Sequence, residues 1–177
     1  FLQTKARLGS TANDNERRLV KHLRPVREVL DIEKMDFNQL LQRDLDDHRV
    51  AEELVPYLLK PKPIGPAFFP PILAVLLPFR DNKPVGTMPQ KRGGDTPVKE
   101  GELLWQIETW GEEGKEAFEV RRLAAKDGQP HRIKLGRLGW NDEHARLVVL
   151  DGQHRAMALL AIDRTLNGTW TGQSGTR

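Results

Sequence analysis

Five consecutive residues, Asp151-Gly152-Gln153-His154-Arg155, hold the densest chemistry in this chain. Arg155 offers planar paired donors that match two phosphate oxygens. His154 can donate to a phosphate or act as an acid or base near neutral pH. Gln153 can orient an attacking water. Gly152 lets the backbone turn sharply and come close to a ligand. Asp151 is the odd member, because a carboxylate beside a polyphosphate is repelled. A divalent cation held at Asp151 resolves the repulsion. So does a role as helix cap, or an ion pair with Arg155. A purely structural arrangement is equally open: Asp151 caps the helix and pairs with Arg155, while His154 and Gln153 face water.

The flanking residues must position this turn. Arg146 to Leu150 is a short apolar run that reads as a strand, and Ala156 to Leu166 reads as a helix with Leu159, Ile162 and Leu166 inward. Asn167-Gly168 supplies a C-terminal cap. Strand, tight turn and helix N-terminus make an anion site, since the first helical amides lack intrahelical partners.

Upstream, Asn13-Asp14-Asn15-Glu16 reads as a helix start, and Pro25 interrupts that pattern or opens a second helix with Val26, Val29 and Leu30. Asp46 or Asp47 caps a further helix, with Val50, Leu54 and Leu58 forming one apolar stripe until Pro61 and Pro63. Ile72 to Leu77 has the length and flanking prolines of a buried strand. Asp81 to Gly101 is dense in Gly, Pro and Lys and reads as a mobile loop. Trp105 to Thr109, Phe118 to Val120 and His131 to Leu138 read as strands of an antiparallel insertion. The tryptophans, and Tyr57 with its hydroxyl at the rim, read as core or rim residues rather than base-stacking ones.

The 177 residues fit one domain with a peripheral extension. With 38% hydrophobic and 30% charged residues, the chain has a globular composition. It has no cysteine, which excludes disulfides and thiolate chemistry and fits a cytoplasmic protein. The histidines show no metal spacing. Arg92-Gly93-Gly94-Asp95 lacks the lysine and hydroxyl of a Walker loop. No apolar run approaches the roughly 20 residues of a membrane span, so no membrane partner is expected. A start at Phe1 and a polar tail over 171–177 read as a fragment.

Net charge is +3, but residues 1–30 alone carry seven basic against three acidic residues, leaving the remainder slightly acidic. Arg17, Arg18, Lys21 and Arg24 are therefore the candidate DNA contacts, attracted to a polyanion. A solvated helix face gives the same charge pattern.

Asp151-Gly152-Gln153-His154-Arg155 resembles the motif of the DGQHR-domain family, which includes the DndB proteins of DNA-modification gene clusters. Gln42-Arg43-Asp44-Leu45-Asp46, Val50, Val55-Pro56-Tyr57-Leu58 and Phe68-Phe69-Pro70-Pro71-Ile72 resemble that family's N-terminal half, in the family's order. More remotely, Gly152 to Ala158 resembles the phosphate motif of the ParB and sulfiredoxin superfamily. The likeness runs over residues 40–165 and leaves out 1–39 and the segment 81–146.

The resemblance implies an α+β fold, a small mixed sheet flanked by helices, ParB/sulfiredoxin-like. An antiparallel insertion and N-terminal helices would complete it. The implied organisation is a basic helical segment over 1–39, a DGQHR domain over 40–170 with an insertion at 81–146, and the polar tail. The implied ligand is a nucleoside triphosphate, ATP favoured, with Mg2+ near Asp151. Gly152, Arg155 and Arg43 would bind phosphate, and Gln153, His154 and Asp151 would be catalytic. The implied setting is bacterial DNA modification or phage defence, with DNA and other modification proteins as partners and hydrolysis of the triphosphate as the activity. The same resemblance also implies a non-enzymatic DNA-binding transcriptional regulator of a phosphorothioation operon. Thiol repair, the cysteine chemistry of sulfiredoxin-like proteins, does not carry over.

Overall fold

The computed structural model describes residues 2–5, 19–29, 46–60 and 70–167. It is a mixed α+β protein with two sheets and few helices. The first sheet has the order β1 (Leu23–Pro25), β9 (Ala145–Asp151), β2 (Leu73–Arg80), β3 (Lys83–Pro84). The second comprises β4 (Lys91–Gly93), β5 (Val98–Glu100), β6 (Leu103–Glu112), β7 (Lys115–Ala124) and β8 (Gly136–Trp140). The chain divides into two compact units, one of residues 1–2 and 76–146, the other of residues 3–75 and 147–177.

The unit of residues 76–146 is built on the long β6–β7 hairpin, closed by a tight turn at Gly114 (φ +77°). Period-two alternation sorts its side chains onto two faces. On one face Trp110 stacks on Phe118 at 5.5 Å, packed with Val120, Leu138 and Trp140 around buried Ala117 and Ala145. On the other, Trp105 is 1% exposed, opposite Leu123, with the Arg137 guanidinium 4.9 Å from its ring centre. A register shift at Gly111 is a β-bulge only glycine fits, since a Cβ there would lie 2.9 Å from the Lys115 carbonyl oxygen. Cross-strand ion pairs join Glu108 to Lys91 and Arg122, and Arg121 to Glu100, while Arg121 also pairs with Glu119 on its own strand.

Sequence and structure part in places here. The Gly/Pro-rich stretch expected as a loop contributes β3, β4 and β5, because each lies antiparallel against a longer strand. The strand expected over His131 to Leu138 is instead Gly136–Trp140, which pairs with β7. Residues 131–135 are irregular, with a bend at Arg132 and Ile133 and the His131 N–H donating to the Leu123 carbonyl.

The other unit has Val20, Leu23, Val149, Ala156 and Leu160 at its core, with Ile72, Ala74, Leu147, Met157 and Leu159 packed on them. Residues 19–21 are helical, but the expected helix start at Asn13 to Glu16 lies outside the described residues. Pro25 ends a strand rather than opening a long helix. β1 runs parallel to β9, with Leu23 beside Leu147 and Pro25 beside Val149, and a 3-10 turn follows over Val26–Glu28, while Leu30 of the expected second helix lies outside the described residues. Tertiary pairing overrides the local pattern, and proline suits a strand's end because it has no N–H to leave unbonded.

A helical run starts with α1 (Asp47–Arg49), widens to a π-helical stretch over Val50–Leu54 and resumes as α2 (Val55–Leu59). Lys60 is extended, as a residue before proline prefers. The π stretch shifts the helix phase by one residue. Val50 is buried and Leu54, Val55 and Leu58 are half-buried, so the expected stripe faces inward with Val55 added, while Leu59 is 58% exposed at the edge of a groove. Tyr57 is 38% exposed on α2, so it is not the core residue its amphipathic ring suggests.

Opposite lies α3 (Gln153–Asn167), with Ala156, Ala158, Leu160, Ile162 and Asp163 buried. Leu166, expected inward, is 54% exposed and lies at the rim of a groove between the two helical stretches. The expected cap residue Gly168 lies outside the described residues. No helix among the described residues is long and apolar enough to cross a membrane.

Candidate functional site: the turn from β9 into α3

β9 delivers Asp151 to the sheet's end, and Gly152 turns the chain into α3 with φ +81°. A residue with a Cβ is strained there, and the space is also taken. A Cβ on Gly152 would lie 2.6 Å from the Arg155 terminal nitrogen and 2.7 Å from its Nε. The guanidinium therefore lies directly over the glycine. Its terminal nitrogen donates to Asp151 Oδ2 at 3.1 Å. The Arg155 side chain is 19% exposed and that of Asp151 is 76% exposed. Of the alternatives the sequence leaves open for Asp151, the ion pair with Arg155 is the arrangement formed.

The first hydrogen bond of α3 runs from the Ala156 N–H to the Gly152 carbonyl at 2.9 Å. The amides of Gln153, His154 and Arg155 precede it, at the positive end of the helix dipole. Two buried side-chain atoms at this turn, Arg155 Nε and Gln153 Oε1, have no hydrogen-bond partner among the described residues. Buried polar atoms normally have one. Here a donor and an acceptor stand open beside a helix N-terminus.

His154 is tied elsewhere. Its Nε2 accepts the backbone N–H of Asp46 at 3.0 Å. Asp46 is the cap of the helical run, its Oδ1 accepting the Arg49 N–H at 2.9 Å. This contact joins residues far apart in the chain, and the sequence carries no signal of it beyond the capping preference of Asp46.

The structure thus brings Asp151, Gly152, Gln153, His154 and Arg155 into one turn. Arg43, Arg17 and Arg18 lie outside the described residues. Lys21 is exposed, while the Arg24 guanidinium turns back on the carbonyls of Lys21 and Leu23. Among the described residues no three His, Asp or Glu side chains gather as a metal site. An Mg2+ at Asp151 would therefore draw its other ligands from water and phosphate, as Mg2+ commonly does.

Sequence reasoning missed a groove farther along α3, lined by none of the residues of this turn. It has a volume of about 360 Å³ and runs between α3 and the Asp47–Leu59 helical run. Val50, Val55 and Leu59 line one side, and Met157, Ala161 and Ile162 the other.

No protein-family model, no curated protein and no solved structure matches this chain.

Proposed function

We propose that this chain is a DndB-like DGQHR-domain protein of a bacterial DNA-modification or phage-defence system. In this reading it binds a nucleoside triphosphate, ATP with Mg2+, at the Asp151–Arg155 turn and hydrolyses it. The observation that carries the reading is the Arg155 guanidinium, laid over Gly152 at the start of α3 with a buried, unbonded Nε. A phosphate oxygen is the acceptor that such a donor lacks. The helix amides beside it favour the same charge.

Phosphate capture falls to the amides of Gln153 to Arg155 and to the Arg155 side chain. Asp151, largely exposed, is free to swing from Arg155 toward a phosphate-bound cation. Catalysis of phosphoryl transfer at such a site is mostly positioning and charge stabilisation, with a polar side chain orienting water for in-line attack. The finer fold proposed is ParB/sulfiredoxin-like, with β9, Gly152 and α3 as its phosphate-binding unit. DNA is the partner this reading implies, in the cytoplasm.

The test is binding and turnover of each triphosphate by the wild type and by Arg155→Ala. The variant should lose at least tenfold in affinity, the scale of a charge-assisted hydrogen bond at about 1.5–3 kcal/mol. Equal binding and turnover in both proteins would remove the turn as the site.

A further inference from the structure

The His154 imidazole has two nitrogens, and one is committed. Nε2 accepts the Asp46 N–H at 3.0 Å, so its lone pair faces a donor. A neutral imidazole carries one proton, and the nitrogen that accepts cannot be the one that bears it. The proton therefore sits on Nδ1.

The partner that sets this tautomer is firmly held. Asp46 Oδ1 accepts the Arg49 N–H at 2.9 Å, and the Asp46 carbonyl accepts the Val50 N–H at 3.1 Å. Both bonds fix the residue whose N–H reaches His154. A general base for water needs an available lone pair, and His154 has none to offer. Its neighbour Gln153 has an Oε1 without a partner among the described residues; it is buried from solvent, so it orients a water once the side chain turns outward on ligand binding.

We infer that His154 is a tautomer-locked hydrogen-bond donor, presenting Nδ1–H to the bound phosphate, and that Gln153 rather than His154 orients the attacking water. The inference rests on the triphosphate reading above and assigns roles within it. Asp46, whose backbone N–H meets His154 Nε2, acts through that histidine as a positioning residue. Donation from the Asp46 N–H also polarises the ring, strengthening what Nδ1–H gives the phosphate.

The experiment is a long-range 1H–15N spectrum of histidine-labelled protein, recorded with and without ATP and Mg2+, beside the backbone amides of residues 153–155. The expected result is the Nδ1–H tautomer in the free protein and an Nδ1 signal that moves when ATP is added. An Nε2–H tautomer in the free protein overturns the inference. If the amides respond to ATP but Nδ1 does not, the donor role falls and the phosphate site stands. If nothing responds, the site reading and the donor role fall together.

Two variants add kinetic outcomes. His154→Asn places an amide nitrogen near the Nδ1 position and should bind ATP more tightly than His154→Gln. His154→Gln lacks that donor and should bind ATP about tenfold more weakly, the scale of one hydrogen bond. Gln153→Ala should lower kcat at unchanged KM. A collapse of kcat in His154→Asn with Gln153→Ala unaffected would reverse the assignment.

Discussion

The Asp151 carboxylate and the Arg155 guanidinium meet at 3.1 Å across Gly152, one helical turn apart. If the turn takes a triphosphate as proposed, the carboxylate competes with it for the Arg155 guanidinium. Because Asp151 is mostly exposed, the pair contributes at most about 1 kcal/mol to stability. Asp151→Asn should therefore leave the urea midpoint almost unchanged. It should also tighten ATP binding severalfold in the absence of Mg2+, measured by calorimetry. Weaker binding without Mg2+ would show that Asp151 does not compete with the ligand.

Gly152→Ala meets two obstacles at once. Its φ of +81° is unfavourable for any residue with a Cβ, and the added methyl would strike the Arg155 guanidinium. A loss of about 1–3 kcal/mol follows from backbone strain of this kind. Chemical denaturation reads the stability, and an ATP titration should show affinity lost with the displaced guanidinium. A stability equal to wild type would mean that the turn relaxes freely.

Trp105 anchors the inner side of the β6–β7 hairpin. At 1% exposure it cannot be truncated without leaving a cavity. Trp105→Ala should cost about 3–5 kcal/mol in a urea titration. A cost below about 1 kcal/mol would place the stability of this unit elsewhere.

Glu116 is held below the ordinary carboxylate range, first by its own backbone N–H, then by the Arg92 guanidinium and the Gly114 N–H. A depressed folded-state value means the ionised form is favoured by folding. Its stabilisation is present above the unfolded carboxylate value and is lost as pH falls through the folded one. Glu116→Gln should be less stable than the wild type near neutrality and flatten the acid side of a stability-against-pH curve, so that the two curves converge at low pH. Curves that stay parallel down to the acid limit would contradict this.

The β2–β3 turn places Asp81 and Asn82 at φ 50° and 62°, both left-handed. Such hairpin turns favour glycine. Asp81→Gly should stabilise the protein by about 0.5 kcal/mol, since relief of the strained backbone slightly exceeds glycine's entropic cost. Asn82 serves less well as a control, because its side chain accepts from Arg146. A lower melting temperature in Asp81→Gly would refute the estimate.

Local chemistry was legible in the residues alone. The β9–turn–α3 unit followed from an apolar run, a glycine and an alanine-rich stretch within about twenty residues. The core of β2 followed from the length of an apolar run and its flanking prolines, and those of β6 and β7 from short runs with aromatic or β-branched content. Asp46 as a helix cap and the pairing of Asp151 with Arg155 were both among the local possibilities. All of these depend on neighbours within a few positions, which is the range over which periodicity and capping operate.

Tertiary structure decided what depends on distant partners. Pro25 ends a strand because Leu23 to Pro25 find β9, and β3 to β5 exist because longer strands lie beside them. The π stretch over Val50–Leu54 adds half-buried Val55 to the stripe of Val50, Leu54 and Leu58. It also left Tyr57 exposed. Above all, composition could nominate His154 as acid, base or ligand contact, yet which nitrogen carries its proton is set by the amide of Asp46, 108 residues away. A side chain's type limits what it can do, and the partner that folding brings to it selects among those options.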